Sequence, residues 1–202
     1  MKILLILLFS TAAYSCSDSS KQLATLGTDA TILAFGDSLT YGTGAKPGED
    51  YPSILANLSN LSVINAGIPG EISSKGLQRL PDLLNQHNPD LLILIHGGND
   101  ILKKLPRLEQ KNNLLTMIKL ATAKDIEVLM LGVPEPGIFL KSAAIYEEIS
   151  NETTIAGEFS ILPDILGDQS LKSDIAHPNA KGYRQMADKI FEFLKDSGAI
   201  KD

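Results

Sequence analysis

Short apolar runs along the chain alternate with longer stretches in which apolar residues recur every three or four positions. Four of these runs are fully apolar or nearly so, which is typical of strands buried on both faces. They predict strands at residues 31–35, 62–65, 91–96 and 127–133, with a weaker fifth near 154–156. The sequence therefore predicts about five short strands separated by helical segments.

Three stretches between and after these strands have the apolar spacing of amphipathic helices. They cover residues 74–86, 108–124 and 180–195. In the last of them Tyr183, Met186, Ile190 and Leu194 fall on one face. Asn179 is the expected N-cap of this helix, and Gly198 lies just beyond its end.

Alternating strands and helices predict a parallel sheet covered on both faces, because parallel strands need crossover connections. Right-handed crossovers then give a three-layer α/β/α sandwich. For the five-stranded parallel sheet we favour the strand order 2-1-3-4-5, although the sequence does not fix it. In such a fold the loops that follow the strands meet at the carboxyl edge of the sheet, where ligands bind.

The first residues resemble a secretory signal rather than part of the fold. Met1 and Lys2 precede a short apolar run, small residues follow, and the only cysteine is Cys16. Residues 13–16 resemble a bacterial lipobox, so we expect 1–15 to be a signal peptide, 16–28 a lipidated N-terminus and tether, and 29–202 a single domain. An ordinary secretory signal with an incidental cysteine is the alternative. The expected location is periplasmic or anchored at the outer membrane.

Net charge and motif content exclude several classes of function. The 202-residue chain carries a formal charge of −6, and its largest basic cluster is Lys103-Lys104, which disfavours nucleic acid as a partner. No cluster has metal-ligand spacing, and the chain has neither a phosphate-binding nor a dinucleotide-binding glycine motif. We therefore expect no metal and no cofactor, a small-molecule or lipid acyl-ester substrate, a membrane contact only through a lipid on Cys16, and a monomer.

Ser38 is the candidate nucleophile, because it follows the first buried strand and a glycine. A serine hydroxyl needs an adjacent base, and His177 is the best base available. Asp174 lies three residues before His177, close enough to orient the imidazole through Nδ1 and leave Nε2 for the serine proton. Each residue alone has a more ordinary interpretation, but the three together predict nucleophilic catalysis.

Acyl transfer also requires hydrogen-bond donors for the developing oxyanion. The glycine-containing turn at residues 65–71 can present a backbone N–H, and Asn99 offers a side-chain amide directly after a buried strand. Taken singly, the glycines also fit plain turn chemistry and Asn99 fits a loop cap. Asp37 and Asp100 are expected to hold loops, and His96 to be a hydrogen-bonded structural histidine.

Four ordered blocks resemble those of the GDSL/SGNH hydrolase family. They are Gly36-Asp37-Ser38-Leu39, the turn ending at Gly70, Gly97-Gly98-Asn99-Asp100, and Asp174-x-x-His177. The resemblance spans about residues 31–193 and is strongest to the periplasmic lysophospholipase, arylesterase and thioesterase group. It implies the flavodoxin-like SGNH fold, a catalytic set of Ser38, Asp174 and His177, and oxyanion donors from Ser38, Gly70 and Asn99. Gly67 is the rival to Gly70 in that turn.

The resemblance implies a serine esterase that acts on carboxylic esters through an acyl-Ser38 intermediate, with thioesters left open as a second class of substrate. Two kinds of substrate stay open: a long-chain acyl ester such as a lysophospholipid, and an acetyl group on a glycan. Ile138 and Phe139 could line an acyl channel or belong to the core. A non-catalytic surface binding protein on the same fold is the alternative from another functional class.

Overall fold

Five parallel strands form the central sheet in the described part of the chain, and their order is β2-β1-β3-β4-β5. The computed structural model describes residues 22–137 and 140–201. The strands are β1 (Thr31–Gly36), β2 (Ser62–Gly67), β3 (Leu91–Ile95), β4 (Glu127–Leu131) and β5 (Ala156–Glu158). The predicted strand order is confirmed, and only the fifth strand begins two residues later than its predicted start.

Burial along the strands follows their place in the sheet. Every residue of β3 is buried, as is typical of a central parallel strand with helices on both faces. By contrast, no residue of the edge strand β2 is fully buried. β1 lies between these two, with Ile32 opposite Val63 on one side and Leu91 on the other. The core is therefore deepest around β1, β3 and β4.

Helices cover the sheet in two groups. α2 and α7 pack against α8, whereas α3 and α6 pack against α5, which gives the α/β/α layering predicted from sequence. The helices are α1 (Ser38–Tyr41), α2 (Tyr51–Ser59), α3 (Ser73–His87), α4 (Gly98–Leu102), α5 (Arg107–Thr122), α6 (Ala144–Glu152), α7 (Ile161–Gly167) and α8 (Ala180–Asp196). The three helices predicted from sequence are α3, α5 and α8, and their ends differ from the prediction by at most two residues.

The last helix begins at the cap that the sequence indicated. The side chain of Asn179 accepts hydrogen bonds from the N–H groups of Lys181 at 2.9 Å and Gly182 at 3.1 Å. These bonds satisfy donors that have no partner inside the helix. Tyr183 and the other apolar residues of its predicted face are buried. α8 is therefore fixed at the carboxyl edge of the sheet, directly after His177.

The first described residues of the chain pack against the residues that follow α8. The Leu23 N–H donates to Ser197 O at 3.1 Å and the Leu26 N–H to Ala199 O at 2.8 Å. Leu23 is also buried in the core. This part of the expected tether therefore packs against the residues that follow α8. Within residues 22–137 and 140–201, no helix is both long enough and apolar enough to cross a membrane.

Candidate active site

Ser38 is placed by a turn that only glycine can make. A Cβ on Gly36 would lie 2.1 Å from Ile95 O and 2.4 Å from Thr40 Oγ1, so a side chain there would collide with the neighbouring strand. The chain then enters α1, with the Asp37 carboxylate accepting the Leu39 N–H at 3.1 Å. Ser38 is the first residue of α1. Its N–H therefore has no acceptor inside the helix and is available to a ligand.

His177 and Asp174 lie beside this serine. His177 Nε2 is 2.9 Å from Ser38 Oγ, and His177 Nδ1 is 2.8 Å from Asp174 Oδ2. A carboxylate only accepts, so the ring proton belongs on Nδ1, and Nε2 is left to accept the serine proton. The structure therefore brings the three residues together from opposite ends of the chain in the hydrogen-bonded order of a nucleophile, a base and an orienting carboxylate.

The Asp174 carboxylate is held in its charged form. Burial alone raises the pKa of Asp174, but hydrogen bonds from the Ala176 N–H and the His177 ring outweigh it and keep this pKa below its usual range. The Ala176 and His177 N–H groups donate to Asp174 Oδ1 at 2.8 Å and 2.9 Å. These bonds close a tight loop, so the carboxylate is fixed against Nδ1 even though half of its side chain is exposed.

Two glycines are candidates for the oxyanion position, Gly67 at the end of β2 and Gly70 in the turn that follows, and their backbone N–H groups differ. The Gly67 N–H donates to Asn65 Oδ1 at 3.0 Å and is therefore occupied. Gly70 lines the same cleft as Ser38, and its N–H has no acceptor within residues 22–137 and 140–201. Gly70 also has a φ of 77°, which favours glycine. The geometry therefore favours Gly70 over Gly67.

Asn99 faces the cleft, but its amide is already engaged. Its Nδ2 donates to Asp37 Oδ2 at 3.1 Å and to Glu71 O at 3.0 Å. Both amide hydrogens therefore have acceptors, and donation to a substrate oxygen needs one of them to be shared. Burial raises the pKa of Asp37, although the hydrogen bonds from Leu39 and Asn99 oppose that shift. Asp37 thus links the nucleophile turn to Asn99.

A buried hydrogen-bond network adjoins the turn at residues 65–71, and no sequence pattern linked its members. The Glu71 carboxylate accepts from Arg79 Nη2 at 2.6 Å and from His96 Nε2 at 3.1 Å. His96 Nδ1 accepts the Gly97 N–H at 2.9 Å, so its proton belongs on Nε2. Burial alone raises the pKa of Glu71, but the bonds from His96 and Arg79 outweigh it and lower this pKa. His96 is therefore structural, as expected.

Arg79 ties this network to the ends of two strands. Its Nη2 also donates to Gly36 O at 3.1 Å and to Ala66 O at 2.9 Å. The guanidinium carbon lies 4.1 Å from the centre of the Phe35 ring, within cation–π range. The Arg79 side chain thereby fixes the carbonyl of Gly36, two residues before Ser38, and the carbonyl of Ala66, four residues before Gly70. No sequence pattern indicated this role for Arg79.

Asp100 also holds a loop, as predicted. Its carboxylate accepts the Ser73 N–H at 2.8 Å and the Ser73 hydroxyl at 2.6 Å. These bonds join the start of α4 to the start of α3. Among the described residues, no group of three or more His, Cys, Asp or Glu side chains is arranged to hold a metal ion.

A cleft of about 490 Å³ opens beside Ser38. Its lining includes the polar residues Asp37, Ser38, Asn99 and His177 of the candidate site. The rest of the wall is largely apolar and is formed by Ile101, Leu102, Val133, Pro134, Leu140, Leu166 and Ile175. Such a cleft can hold an apolar group next to the nucleophile. The predicted wall residues Ile138 and Phe139 lie outside the described residues, as does Cys16.

Comparison with known proteins agrees with this geometry. Residues 34–185 match the GDSL-like lipase/acylhydrolase family. The chain belongs to this family. It is 30% identical to the thioesterase 1/protease 1/lysophospholipase L1 of Escherichia coli over 173 residues, which cover 82% of this chain and 83% of that protein. It is an ester-hydrolysing enzyme of the GDSL family.

Two further relatives support the same assignment. The arylesterase of Vibrio mimicus is 32% identical over 137 residues, which cover 65% of this chain and 66% of that protein. The crystal structure of the psychrotrophic esterase EstA from Pseudoalteromonas sp., inhibited by monoethylphosphonate, superposes with a TM-score of 0.75 at 28% identity. That match covers 83% of this chain and 98% of the esterase. The GDSL membership thus rests on sequence and on fold.

Proposed function

We propose that this GDSL enzyme is a lipolytic serine esterase that cleaves medium- or long-chain acyl esters through an acyl-Ser38 intermediate. The observation that carries the proposal is the largely apolar cleft that is lined by Ser38 together with Leu102 and Ile175. A cleft of about 490 Å³ is in the size range of sites that bind ligands much larger than an acetyl group. The names of the relatives, which include a lysophospholipase, point the same way.

In the proposed reaction, His177 Nε2 takes the proton of Ser38 as Oγ attacks the acyl carbonyl. The Asp174 carboxylate stabilises the resulting imidazolium through Nδ1. The N–H groups of Ser38 and Gly70 stabilise the oxyanion, and Asn99 adds a third, shared hydrogen bond. His177 then returns the proton to the leaving alcohol, which departs and leaves the acyl group on Ser38.

In the second half of the reaction, a water molecule loses a proton to His177 Nε2 and attacks the acyl-Ser38 carbonyl. The carboxylic acid is released, and the proton returns to Ser38 Oγ. The same donors stabilise the second tetrahedral intermediate. No group other than water is needed to balance the reaction.

The test is hydrolysis of p-nitrophenyl esters from acetate to palmitate by wild type and by Ser38→Ala. We expect a maximum at medium or long chains that is lost in Ser38→Ala. A sharp preference for acetate would instead favour an esterase that removes short acyl groups from glycans. Activity retained by Ser38→Ala would refute the acyl-Ser38 intermediate.

We also propose that the protein is exported by residues 1–15 and anchored by a lipid on Cys16, on the strength of the lipobox-like residues 13–16. Cys16→Ala should release the protein from membrane fractions of the producing cell. An unchanged membrane fraction would contradict the anchor and leave an ordinary secretory signal.

A further inference from the structure

The exposed large apolar side chains of the described residues share one end of the molecule. They are Tyr41, Ile68, Leu102, Leu105, Leu108 and Ile175, and we call them the rim. Tyr41 follows β1, Ile68 follows β2, and the three leucines follow β3. Ile175 precedes α8, which starts at the same edge. All six therefore lie at the carboxyl edge of the sheet, around the candidate active site.

The rim is continuous with the cleft. Leu102 and Ile175 line the cleft beside Ser38 and are nevertheless 58% and 92% exposed. Ile68 precedes Pro69, which also lines the cleft. An apolar surface thus runs from the candidate nucleophile out to solvent. Large contiguous apolar surfaces mark interaction sites, whereas apolar side chains scattered singly over a surface are normal.

Cations are interspersed with the leucines of the rim. Residues 102–108 read Leu-Lys-Lys-Leu-Pro-Arg-Leu, although the chain as a whole carries a charge of −6. Arg107 is paired with Glu148, and Lys103 reaches Gly70 O at 3.3 Å. Lys104 makes no ion pair with any described residue. Exposed leucines next to such cations suit a membrane surface, in which anionic head groups cover an apolar interior.

We propose that the rim docks on an anionic lipid surface, so that an acyl chain passes from that surface into the cleft. This proposal rests on the proposed lipolytic function. A protein partner or a second copy of the chain seated on the rim would close the mouth of the cleft and exclude substrate. A lipid surface, by contrast, delivers the substrate through the same contact.

The test compares vesicle binding by variants of residues that do not line the cleft. Every protein carries Cys16→Ser and Ser38→Ala, so that neither a lipid anchor nor hydrolysis contributes, and any contribution of the leader is equal in all of them. Leu105→Ser/Leu108→Ser removes apolar rim surface, since these leucines are 36% and 70% exposed. Lys104→Gln removes the unpaired cation. Lys124→Gln is the matched control, because Lys124 is exposed just beyond the far end of α5.

Binding is measured by sedimentation with vesicles of phosphatidylcholine alone and with added phosphatidylglycerol. We expect the double leucine variant to bind at least about tenfold more weakly to the mixed vesicles, because it loses roughly one leucine's worth of apolar burial. Lys104→Gln should bind about fivefold more weakly, and only to the anionic vesicles. Lys124→Gln should bind as the parent does.

Several outcomes would overturn the docking surface. They are parent protein that does not bind anionic vesicles, variants that bind as well as the parent, and a concentration-dependent dimer that the double leucine variant abolishes. With Ser38 restored, the double leucine variant should keep its activity on soluble p-nitrophenyl butyrate and lose activity on esters held in vesicles. Rim-dependent vesicle binding by a protein without esterase activity would support the docking surface and contradict the proposed function.

Discussion

Replacement of Arg79 by methionine should destabilise the fold through the buried carboxylate that it leaves behind. Arg79 Nε and Nη2 both contact Glu71, at distances between 2.6 and 3.0 Å, and the Glu71 side chain is only 7% exposed. Removal of one partner of a fully buried pair costs about 3–5 kcal/mol. Because the Arg79 side chain is 22% exposed, we expect a loss of about 2–4 kcal/mol.

The loss should be measured as the free energy of unfolding in urea at neutral pH. In a domain of this size it corresponds to a fall in Tm of roughly 5–15 °C. Arg184→Met is the matched control, because Arg184 pairs with Asp188 on the surface of α8 and both side chains are well exposed. That exposed pair should contribute less than about 0.5 kcal/mol. Equal losses in the two variants would show that the Arg79 network does not stabilise the fold.

Three other predictions concern the same part of the molecule. Asn99→Ala should lower kcat on p-nitrophenyl esters by about 10²–10³-fold with little change in KM, because it removes a proposed oxyanion donor, and an unchanged kcat would exclude that role. Gly67→Ala should prevent folding or lower the free energy of unfolding in urea by several kcal/mol, because its Cβ would lie 2.1 Å from Tyr41 N. The Cβ of Gly70→Ala meets no atom within 4 Å, so this variant should lose only about 1–2 kcal/mol through backbone strain. Equal losses in the two variants would refute this contrast. The pKa of Glu71 is lower in the folded state than its ordinary value of 4.5. The stability advantage of wild type over Glu71→Gln should therefore be full above pH 4.5 and shrink as the pH falls through the folded-state pKa. An advantage that grows in acid would contradict this prediction.

The sequence predicts well those strands and helices whose apolar pattern or cap is unambiguous. β3 is a run of five buried apolar residues, and α8 combines a cap at Asn179 with a long apolar face. The helices that the sequence did not predict are short or have a proline in their first turn. α2 has Pro52 in its first turn and α7 has Pro163, and both prolines resemble loop signals although a first helical turn accepts them. α6 is held mainly by tertiary packing of Ile145, Tyr146 and Ile149.

The same distinction separates the site residues that could be predicted from sequence from those that could not. Ser38, Asn99 and His177 could be proposed because each follows a recognisable strand or precedes a recognisable helix. The reach of Arg79 to Gly36 O and Ala66 O could not, because it depends on the distance between α3 and the sheet. The two bonds of the Asn99 amide depend likewise on how three loops pack together. Such contacts join residues far apart in sequence and leave no local pattern.

The attachment of the N-terminal segment beside Ser197 sets the direction in which the enzyme faces. α8 runs from His177 at the cleft to Ser197 at the opposite edge, a length of about 25 Å for its 17 residues. The seven chain steps from Cys16 to Leu23 span at most about 25 Å, no more than the length of α8. If Cys16 carries a lipid, the anchor is tied to the domain at the edge opposite the rim. Anchor and rim then reach one bilayer, with the domain upright, only if this segment is fully extended along the domain. With any less extended tether, an anchored molecule presents its cleft to a second, facing surface, so that the membrane it is fixed to and the membrane it acts on are different ones.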